Sequence, residues 1–203
     1  MNWDKKDSTD QLYALARYSL SAPLVLYGFA EYFRLLLEGE LSGRHLNIRA
    51  AIVTGEDVSK NERKQFEDFL GAPVFMAYSS REFGRIGQEC KEKNGYHINA
   101  ERFIVEVVDE HGNAAPDGVL GRIIVTDTRN FVMPFIRYEI GDRGFWSLGS
   151  CRCGIALPRL FLEGRSTDRI MLGGRTLHPY ILFDIINGHC HDILRYQIIQ
   201  KNI

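Results

Sequence analysis

The sequence lacks three features that would each place it in a special class of protein. No apolar run approaches the roughly 20 residues that a membrane-spanning helix needs. The first seven residues, MNWDKKD, carry charges of both signs with no apolar stretch behind them, so they do not form a secretory signal. Only 4 cysteines occur in 203 residues, too few for a disulfide scaffold. We therefore expect a cytoplasmic protein without membrane partners, with thiols that are reduced or bound to a metal.

A basic excess is also missing. Lys and Arg number 25 against 26 Asp and Glu, which gives a formal net charge of −1. Proteins that grip phosphate backbones usually carry a surplus of positive charge, so nucleic acid is excluded as the main partner. Hydrophobic residues make up 45% and charged residues 25% of the chain, which is ordinary for a globular protein and excludes disorder as a description of the whole.

The first half of the chain alternates helical and strand patterns. Ser59 is a good helix N-cap, and Glu62 three residues later completes a capping box. Alternation of strands and helices implies a parallel αβ layer, and ligands of such layers usually bind at the carboxyl ends of the strands. Apolar spacing predicts helices over 10–20, 29–37 and 61–70 and strands over 24–27, 48–54 and 74–78, with a turn opening at Gly28.

The second half is built of short strands separated by turns, which predicts a barrel-like antiparallel β subdomain. A polar break at 164–168 precedes a predicted hairpin around Gly173-Gly174 and a helix over 178–186 that starts near Pro179. The strands are predicted over 103–109 and 122–126 and then from 139–142 into 145–146. The fold class is thus α/β, with the parallel αβ layer first and the antiparallel subdomain second.

Three cysteines and a histidine are candidate ligands for a metal ion. Cys151 and Cys153 flank one residue in a glycine-bracketed knuckle, and Cys90 and His97 have six residues between them. Zinc prefers four nitrogen or sulfur ligands in a tetrahedron, and a closed Cys3His set is structural. Two other interpretations stay open: reduced turn cysteines beside a surface histidine, or a site that uses Cys190 with one of its flanking histidines, 189 or 191.

A polar segment follows the strand over 74–78. Ser79, Ser80, Arg81 and Glu82 bring two hydroxyls, a guanidinium and a carboxylate together within four residues. An arginine can fork onto phosphate oxygens, a carboxylate can hold Mg²⁺ beside them, and Tyr78 can stack on a planar ring. The alternative is a capped loop with an Arg–Glu surface pair.

Two further polar residues are candidates for a nucleotide site. Asp142 can accept two sugar hydroxyls, as ribose-binding carboxylates do, or it can lie in an ordinary turn at a strand end. Arg165 can contact a phosphate or a sugar, or it can be a linker arginine.

Taken in order, these motifs resemble the adenylate-forming (acyl-activating) superfamily, and more closely its phenylacetate–CoA ligase and CapK-like branch. The resemblance runs from about residue 10 to the end. The residues that carry it are Thr54-Gly55-Glu56, Tyr78 to Gly84, Gln88-Glu89-Cys90, Tyr96-His97-Ile98, Pro134 to Asp142, Cys151 to Gly154 and Gly164 to Asp168.

This resemblance implies a reaction and a role for each matched residue. A carboxylic acid and ATP would give an acyl-adenylate and pyrophosphate, and coenzyme A would then take the acyl group. Tyr78 would lie against adenine with Gly55 and Glu56 nearby, Glu82 would be catalytic through the Mg²⁺ of ATP, and Asp142 would hold the ribose. Arg165 would reach the nucleotide, and Thr167 stands where the family has its hinge. A structural zinc would be held by Cys90, His97, Cys151 and Cys153.

The sequence departs from the family pattern at two positions of the Tyr78 motif. Ser79 stands in place of a glycine, and Arg81 replaces the hydroxyl residue that contacts the α-phosphate. Arg81 could serve the same phosphate by its charge.

The resemblance also sets the expected domains. Residues 1–163 would be part of the large nucleotide-binding domain, with the αβ part over about 1–85 and the β-rich part over about 86–163. Residues 164–203 would be the hinge and the start of the small C-terminal domain. Nothing in residues 1–77 resembles the family's phosphate loop, and the family's C-terminal lysine is not reached by Ile203. We expect a portion of the enzyme, inactive or nearly so alone, that self-associates through an exposed apolar surface.

Two other functions are compatible with the same residues. One is a non-catalytic, zinc-stabilised nucleotide-binding or scaffold module, and the other is an adenylating enzyme whose acceptor is not coenzyme A. The residues do not identify the acid.

Overall fold

The computed structural model describes residues 22–38, 47–56, 58–165, 170–172, 175–177, 186 and 199–200. The chain divides into two compact units, unit 1 up to Tyr96 and unit 2 from His97 onward. The helix predicted over 10–20, the hinge at Thr167 and the alternative ligand Cys190 lie outside the described residues. The same holds for the helix predicted over 178–186 apart from Ile186. The predicted domain bounds stay predictions.

Unit 1 contains the predicted parallel αβ layer. Its elements are β1 (Leu24–Phe29), α1 (Ala30–Glu38), β2 (Ile48–Thr54), α2 (Lys60–Leu70), β3 (Val74–Ser80) and β4 (Gly84–Glu89). Strand β2 pairs in parallel with both β1 and β3, and β4 pairs antiparallel with β3. The carboxyl ends of three parallel strands therefore lie side by side, as the sequence predicts.

The ends of the helices in unit 1 follow from local chemistry. The Ser59 hydroxyl accepts a hydrogen bond from the amide of Glu62 at 3.1 Å, and α2 ends at Gly71 in the left-handed conformation. Phe33 of α1 and Phe66 of α2 are buried, with ring centroids 5.6 Å apart. They pack with Val53 and Val74 from the sheet, so both helices cover one apolar core.

The turn predicted at Gly28 is wrong. Gly28 and Phe29 continue β1 because they pair with Val53 and Thr54 of β2. Pairing with a neighbouring strand has overridden the local preference of glycine for a turn. Strand β1 exposes Val25, Tyr27 and Phe29 on its other face, with 52–59% of each residue accessible. Self-association through such a surface stays a prediction.

Unit 2 is antiparallel. Strand β5 (Tyr96–Ile98) crosses the division between the units, and β6 (Phe103–Val108), β7 (Gly121–Asp127), β8 (Tyr138–Ser147) and β9 (Arg159–Arg165) follow. Strand β7 pairs with β6 and β8, and β8 pairs with β9. In the described part of unit 2, β6 and β9 do not pair with each other, so this sheet is open and does not close into the barrel that was expected. The predicted hairpin is confirmed as β10 (Ile170–Leu172) paired with β11 (Arg175–Leu177).

A close approach of backbones holds β8 against β9. A Cβ at Gly144 would collide with the carbonyl oxygen of Phe161, so only glycine fits at this point. The core of unit 2 is formed by fully buried Ile123, Val125 and Leu160. Neither helix described above, of 9 and 11 residues, has the length and apolar character needed to cross a membrane.

Candidate nucleotide site and metal-ligand cluster

The two polar strand ends of unit 1 meet through a pair of hydroxyl groups. Oγ1 of Thr54, at the end of β2, lies 2.5 Å from Oγ of Ser79 near the end of β3. The Thr54 hydroxyl donates to the carbonyl oxygen of Ala77 at 3.2 Å, and it has only one proton, so Ser79 is the donor to Thr54. Thr54 is buried. The structure therefore brings Thr54-Gly55-Glu56 and the segment after Tyr78 together, as the sequence predicts.

Gly55 allows the chain to turn at the end of β2, directly against the ring of Phe29. Its φ is +90°, in the left-handed region, and a Cβ at this position would collide with the ring of Phe29 at the end of β1. The Phe29 ring packs edge to face against Tyr32 of α1, with centroids 5.9 Å apart. The backbone of the loop after β2 is thus seated on an aromatic surface. Glu56 follows with an exposed side chain.

The second strand end places its residues in different environments. Tyr78 is buried, with its ring centroid 6.0 Å from that of Tyr96. The Ser80 hydroxyl accepts a hydrogen bond from the amide of Phe83 at 3.2 Å and so caps the turn between β3 and β4. Arg81 and Glu82 lie exposed in that turn. An arginine and a glutamate at the carboxyl end of a parallel layer are suited to a phosphorylated ligand and its metal ion.

Arg34 of α1 contacts this site and has no signal in the sequence. Its Nε donates to Glu62 at 2.6 Å and its NH1 group to Glu56 at 2.9 Å, and Glu31 lies 3.7 Å away. Burial lowers the pKa of Arg34, but the hydrogen bond and charge of Glu62, followed by those of Glu56, outweigh it and raise the pKa above its ordinary value. An arginine on a half-exposed helix face is indistinguishable in sequence from any surface arginine.

In unit 2, the two other candidate nucleotide residues lie opposite each other. Asp142 of β8 and Arg165 of β9 are cross-strand partners, and Oδ1 of Asp142 is 3.5 Å from Nε of Arg165. The Asp142 side chain is 15% exposed and the Arg165 side chain 68% exposed. A mostly buried carboxylate beside an accessible guanidinium provides an acceptor and a donor at one place on the sheet.

Three of the four candidate metal ligands lie together in unit 2. The possible ligand atoms of His97, Cys151 and Cys153 are all within 4.8 Å of one another. Nε2 of His97 is 3.4 Å from Sγ of Cys153. Gly154, with φ of +91°, forms the knuckle turn, in which its amide donates to the carbonyl of Cys151 at 3.1 Å. The amide of Ile155 donates to Sγ of Cys153 at 3.3 Å.

This geometry fits a tetrahedral metal. With zinc–sulfur and zinc–nitrogen bonds of about 2.3 and 2.0–2.1 Å, the sulfur and nitrogen ligands of one ion stand about 3.6 Å apart. His97 and Cys151 are each 7% exposed, so these two residues are shielded from water, whereas Cys153 is half-buried. Nδ1 of His97 is buried without a hydrogen-bond partner among the described residues. Cys90 belongs to unit 1, where it is half-buried and its carbonyl accepts from the amide of Lys93 at 2.9 Å.

Comparison with known proteins yields three phenylacetate-coenzyme A ligases among the curated relatives. The chain is 29% identical over 177 residues to a phenylacetate-coenzyme A ligase of Thermus thermophilus, which covers 85% of this chain and 39% of the relative. It is 28% identical over 138 residues to the phenylacetate-coenzyme A ligase of Pseudomonas putida, over 66% of this chain and 31% of that protein. The chain thus spans about two fifths or less of the length of these relatives. No protein-family model matches it.

Solved structures share the fold. A 2-hydroxyisobutyryl-CoA ligase in the postadenylation state with 2-HIB-AMP superposes with a TM-score of 0.80 at 21% identity, over 93% of this chain and 42% of that one. An anthranilate CoA ligase in complex with anthranoyl-AMP gives a TM-score of 0.68 at 15% identity, over 94% of this chain and 38% of that one. The resemblance to the adenylate-forming superfamily is confirmed: the curated homologues are phenylacetate–CoA ligases, and the fold is that of part of an acyl-CoA ligase.

Proposed function

We propose that this chain is part of an ATP-dependent carboxylate-activating ligase. In the first step a carboxylate oxygen attacks the α-phosphate of ATP, which forms an acyl-adenylate and releases pyrophosphate. In the second step the thiol of coenzyme A displaces AMP and forms the thioester. The observation that carries the proposal is the Thr54–Ser79 contact of 2.5 Å, which joins the two polar strand ends in a chain whose curated relatives are phenylacetate–CoA ligases.

In this proposal the residues of unit 1 bind the base and the phosphates. Gly55, Glu56 and Tyr78 hold adenine. Their support is the turn at Gly55, which has no side chain of its own and packs against the ring of Phe29. The serines after Tyr78 shape the β3–β4 turn: Ser79 ties it to β2, and Ser80 caps it.

The two charged residues of that turn, Arg81 and Glu82, contact the phosphates and their metal ion in this proposal. Arg81 offers a positive charge to the α-phosphate, and Glu82 holds the Mg²⁺ that accompanies ATP. Both side chains are exposed at the end of β3, where the ligand of a parallel layer is expected. The chemistry that Mg²⁺ supplies is neutralisation of the negative charge that develops on the phosphate oxygens.

In unit 2, Asp142 and Arg165 are the residues that we propose for contacts with the sugar and the nucleotide. Asp142 accepts hydrogen bonds from the two ribose hydroxyls, and the support for this role is its mostly buried carboxylate beside Arg165, 3.5 Å away. Arg165, with its largely exposed side chain, contacts the nucleotide.

We also propose a structural zinc held by Cys90, His97, Cys151 and Cys153. The donor set supports a closed site of three sulfurs and one nitrogen, and the 3.4 Å contact of His97 with Cys153 fits the spacing of two ligands on one ion. Cys90 is the fourth candidate because only six residues separate it from His97 along the chain. Such a site contributes to folding and not to the reaction.

The alternatives are less well supported. Both a non-catalytic module and an acceptor other than coenzyme A would have to be reconciled with curated relatives that are named as coenzyme A ligases. A cytoplasmic location remains a prediction.

The experiment that tests the proposal is calorimetric titration of the chain with an unreactive acyl-adenylate mimic, the sulfamoyl-adenosine derivative of phenylacetate. We expect the mimic to bind more tightly than AMP, and Glu82→Gln to weaken ATP–Mg²⁺ more than the mimic, which lacks the metal-bound phosphates. Lys64→Met is the matched control, since Lys64 pairs with Asp68 on an exposed part of α2. Equal affinity for the guanosine analogue of the mimic would contradict the proposal.

A further inference from the structure

Arg34 connects the start of α2 to the candidate nucleotide loop, through what we call the Arg34 bridge (Glu62–Arg34–Glu56). The Glu62 side chain is 16% exposed, the Arg34 side chain 34% and the Glu56 side chain 46%. The bridge therefore runs from a largely buried anchor to an accessible loop residue.

The buried end of the bridge is firmly held. Glu62 lies in the first turn of α2, and its amide is fixed by the hydroxyl of Ser59 at 3.1 Å. A carboxylate in the first turn also interacts favourably with the helix dipole. Arg34 reaches this anchor through Nε at 2.6 Å. The guanidinium is planar, so fixing one edge also orients the other nitrogens.

The accessible end of the bridge holds the loop. The NH1 group of Arg34 donates to Oε1 of Glu56 at 2.9 Å, with Oε2 of Glu31 farther off at 3.7 Å, and a carboxylate can accept several hydrogen bonds at once. The ring of Phe29 packs against Gly55 and is the first restraint on the loop. The bridge supplies the second restraint. The two restraints come from Phe29 of β1 and Arg34 of α1, which lie 26 and 22 residues before Gly55 and Glu56 in the sequence.

We propose that Arg34 is a positioning residue that fixes the Thr54–Glu56 loop in the conformation that binds the adenine nucleotide. Arg34 acts through Glu56 and does not itself touch the ligand. The role in binding rests on the proposed function, whereas the restraint on the loop does not. A loop already ordered before binding loses less entropy on binding, so the bridge favours affinity.

The test measures loop order and affinity separately, on the full chain. Amide hydrogen exchange of the peptide that contains residues 54–56 is compared in wild type, Arg34→Met, Glu62→Gln and Lys64→Met. Glu62→Gln matters most, because it removes the anchor and leaves the loop residues and Arg34 unchanged. ATP affinity is measured by calorimetry on the same proteins.

The bridge predicts faster exchange at 54–56 in Arg34→Met and Glu62→Gln, with no change in Lys64→Met. ATP affinity should fall about fivefold in both bridge variants, the upper end for a partly exposed ion pair. Relative to Arg34→Met, Arg34→Lys should restore part of the slow exchange and part of the ATP affinity. Lysine keeps the positive charge but lacks the planar guanidinium that donates to two carboxylates. Unchanged exchange at 54–56 in Glu62→Gln would overturn the inference. A wild-type chain that does not bind ATP would refute the proposed function and the role in binding, while the exchange data would still decide whether Arg34 restrains the loop. If Arg34→Met fails to fold, Glu62→Gln decides alone.

Discussion

Removal of one thiolate from the candidate metal cluster is the most informative perturbation of this protein. In Cys153→Ser, a hydroxyl replaces the sulfur that lies 3.4 Å from Nε2 of His97. Serine is a poor ligand for zinc, which prefers thiolate and imidazole. We expect the variant to lose the metal and Cys151→Ser to do the same, because the three ligands that remain do not complete the tetrahedron.

The loss of stability that we expect in these variants follows from the binding free energy of the metal and from the burial of its ligands. A metal that binds only the folded state at about 1,000 times its dissociation constant stabilises it by about 4.1 kcal/mol. In a chain of this length, 1 kcal/mol moves the midpoint of thermal unfolding by about 2–4 °C. Loss of the metal should therefore lower the midpoint by about 8–16 °C. His97 and Cys151, each 7% exposed, would also be left as buried polar groups with one partner fewer.

The assay is metal content by elemental analysis, with thermal unfolding of the same samples, on protein purified without chelator. We expect one zinc per wild-type chain and none in Cys151→Ser or Cys153→Ser. Cys190→Ser is the matched control and tests the alternative site at the same time: it should keep both the zinc and the unfolding midpoint. Wild-type protein that is folded, stable and free of metal would refute the zinc site, and loss of zinc in Cys190→Ser would favour the alternative ligands.

Two further predictions concern a carboxylate and a glycine. Asp127 has its pKa lowered below 3.8, chiefly by hydrogen bonds from Arg102 and against the effect of burial, so its contribution to stability is complete above about pH 5 and disappears as the pH falls through the lowered value. In Asp127→Asn, the free energy of unfolding measured in urea should fall less steeply as the pH is lowered below about 5. An unchanged pH dependence would show that the pair with Arg102 contributes nothing. Gly55→Ala combines a φ of +90° with a collision against Phe29, whereas Gly71→Ala has the same handedness in open space. The first variant should therefore unfold at a lower temperature than the second, and equal midpoints would contradict the packing of this loop on Phe29.

Much of unit 1 can be predicted from the sequence because its signals are local. The cap at Ser59 is set by one side chain and an amide three residues on, and the parallel order of β1, β2 and β3 follows from strands that alternate with helices. Strand β4 escapes prediction because GRIGQE has only one large apolar residue, Ile86, and becomes a strand by pairing with β3.

Unit 2 and the contacts of the site were harder to predict. Strand β8 runs unbroken from Tyr138 to Ser147 although it contains two glycines, and Gly144 is required there by the close approach of β9. Cysteine spacing predicted that His97, Cys151 and Cys153 lie together, and the structure brings their possible ligand atoms within 4.8 Å of one another. The Arg34 bridge could not be predicted, since its partners are 22 and 28 residues away in sequence and only the fold brings them together.

Nuclear magnetic resonance of the ¹⁵N-labelled chain with added AMP tests the central claim most directly, because it shows both whether the nucleotide binds and where. We predict that the amides of Thr54 to Glu56 and of Tyr78 to Glu82 shift with a common saturating affinity, while that of Lys64 on the outer face of α2 stays in place. Absence of binding, or shifts confined to residues away from these two strand ends, would contradict the assignment of the nucleotide site.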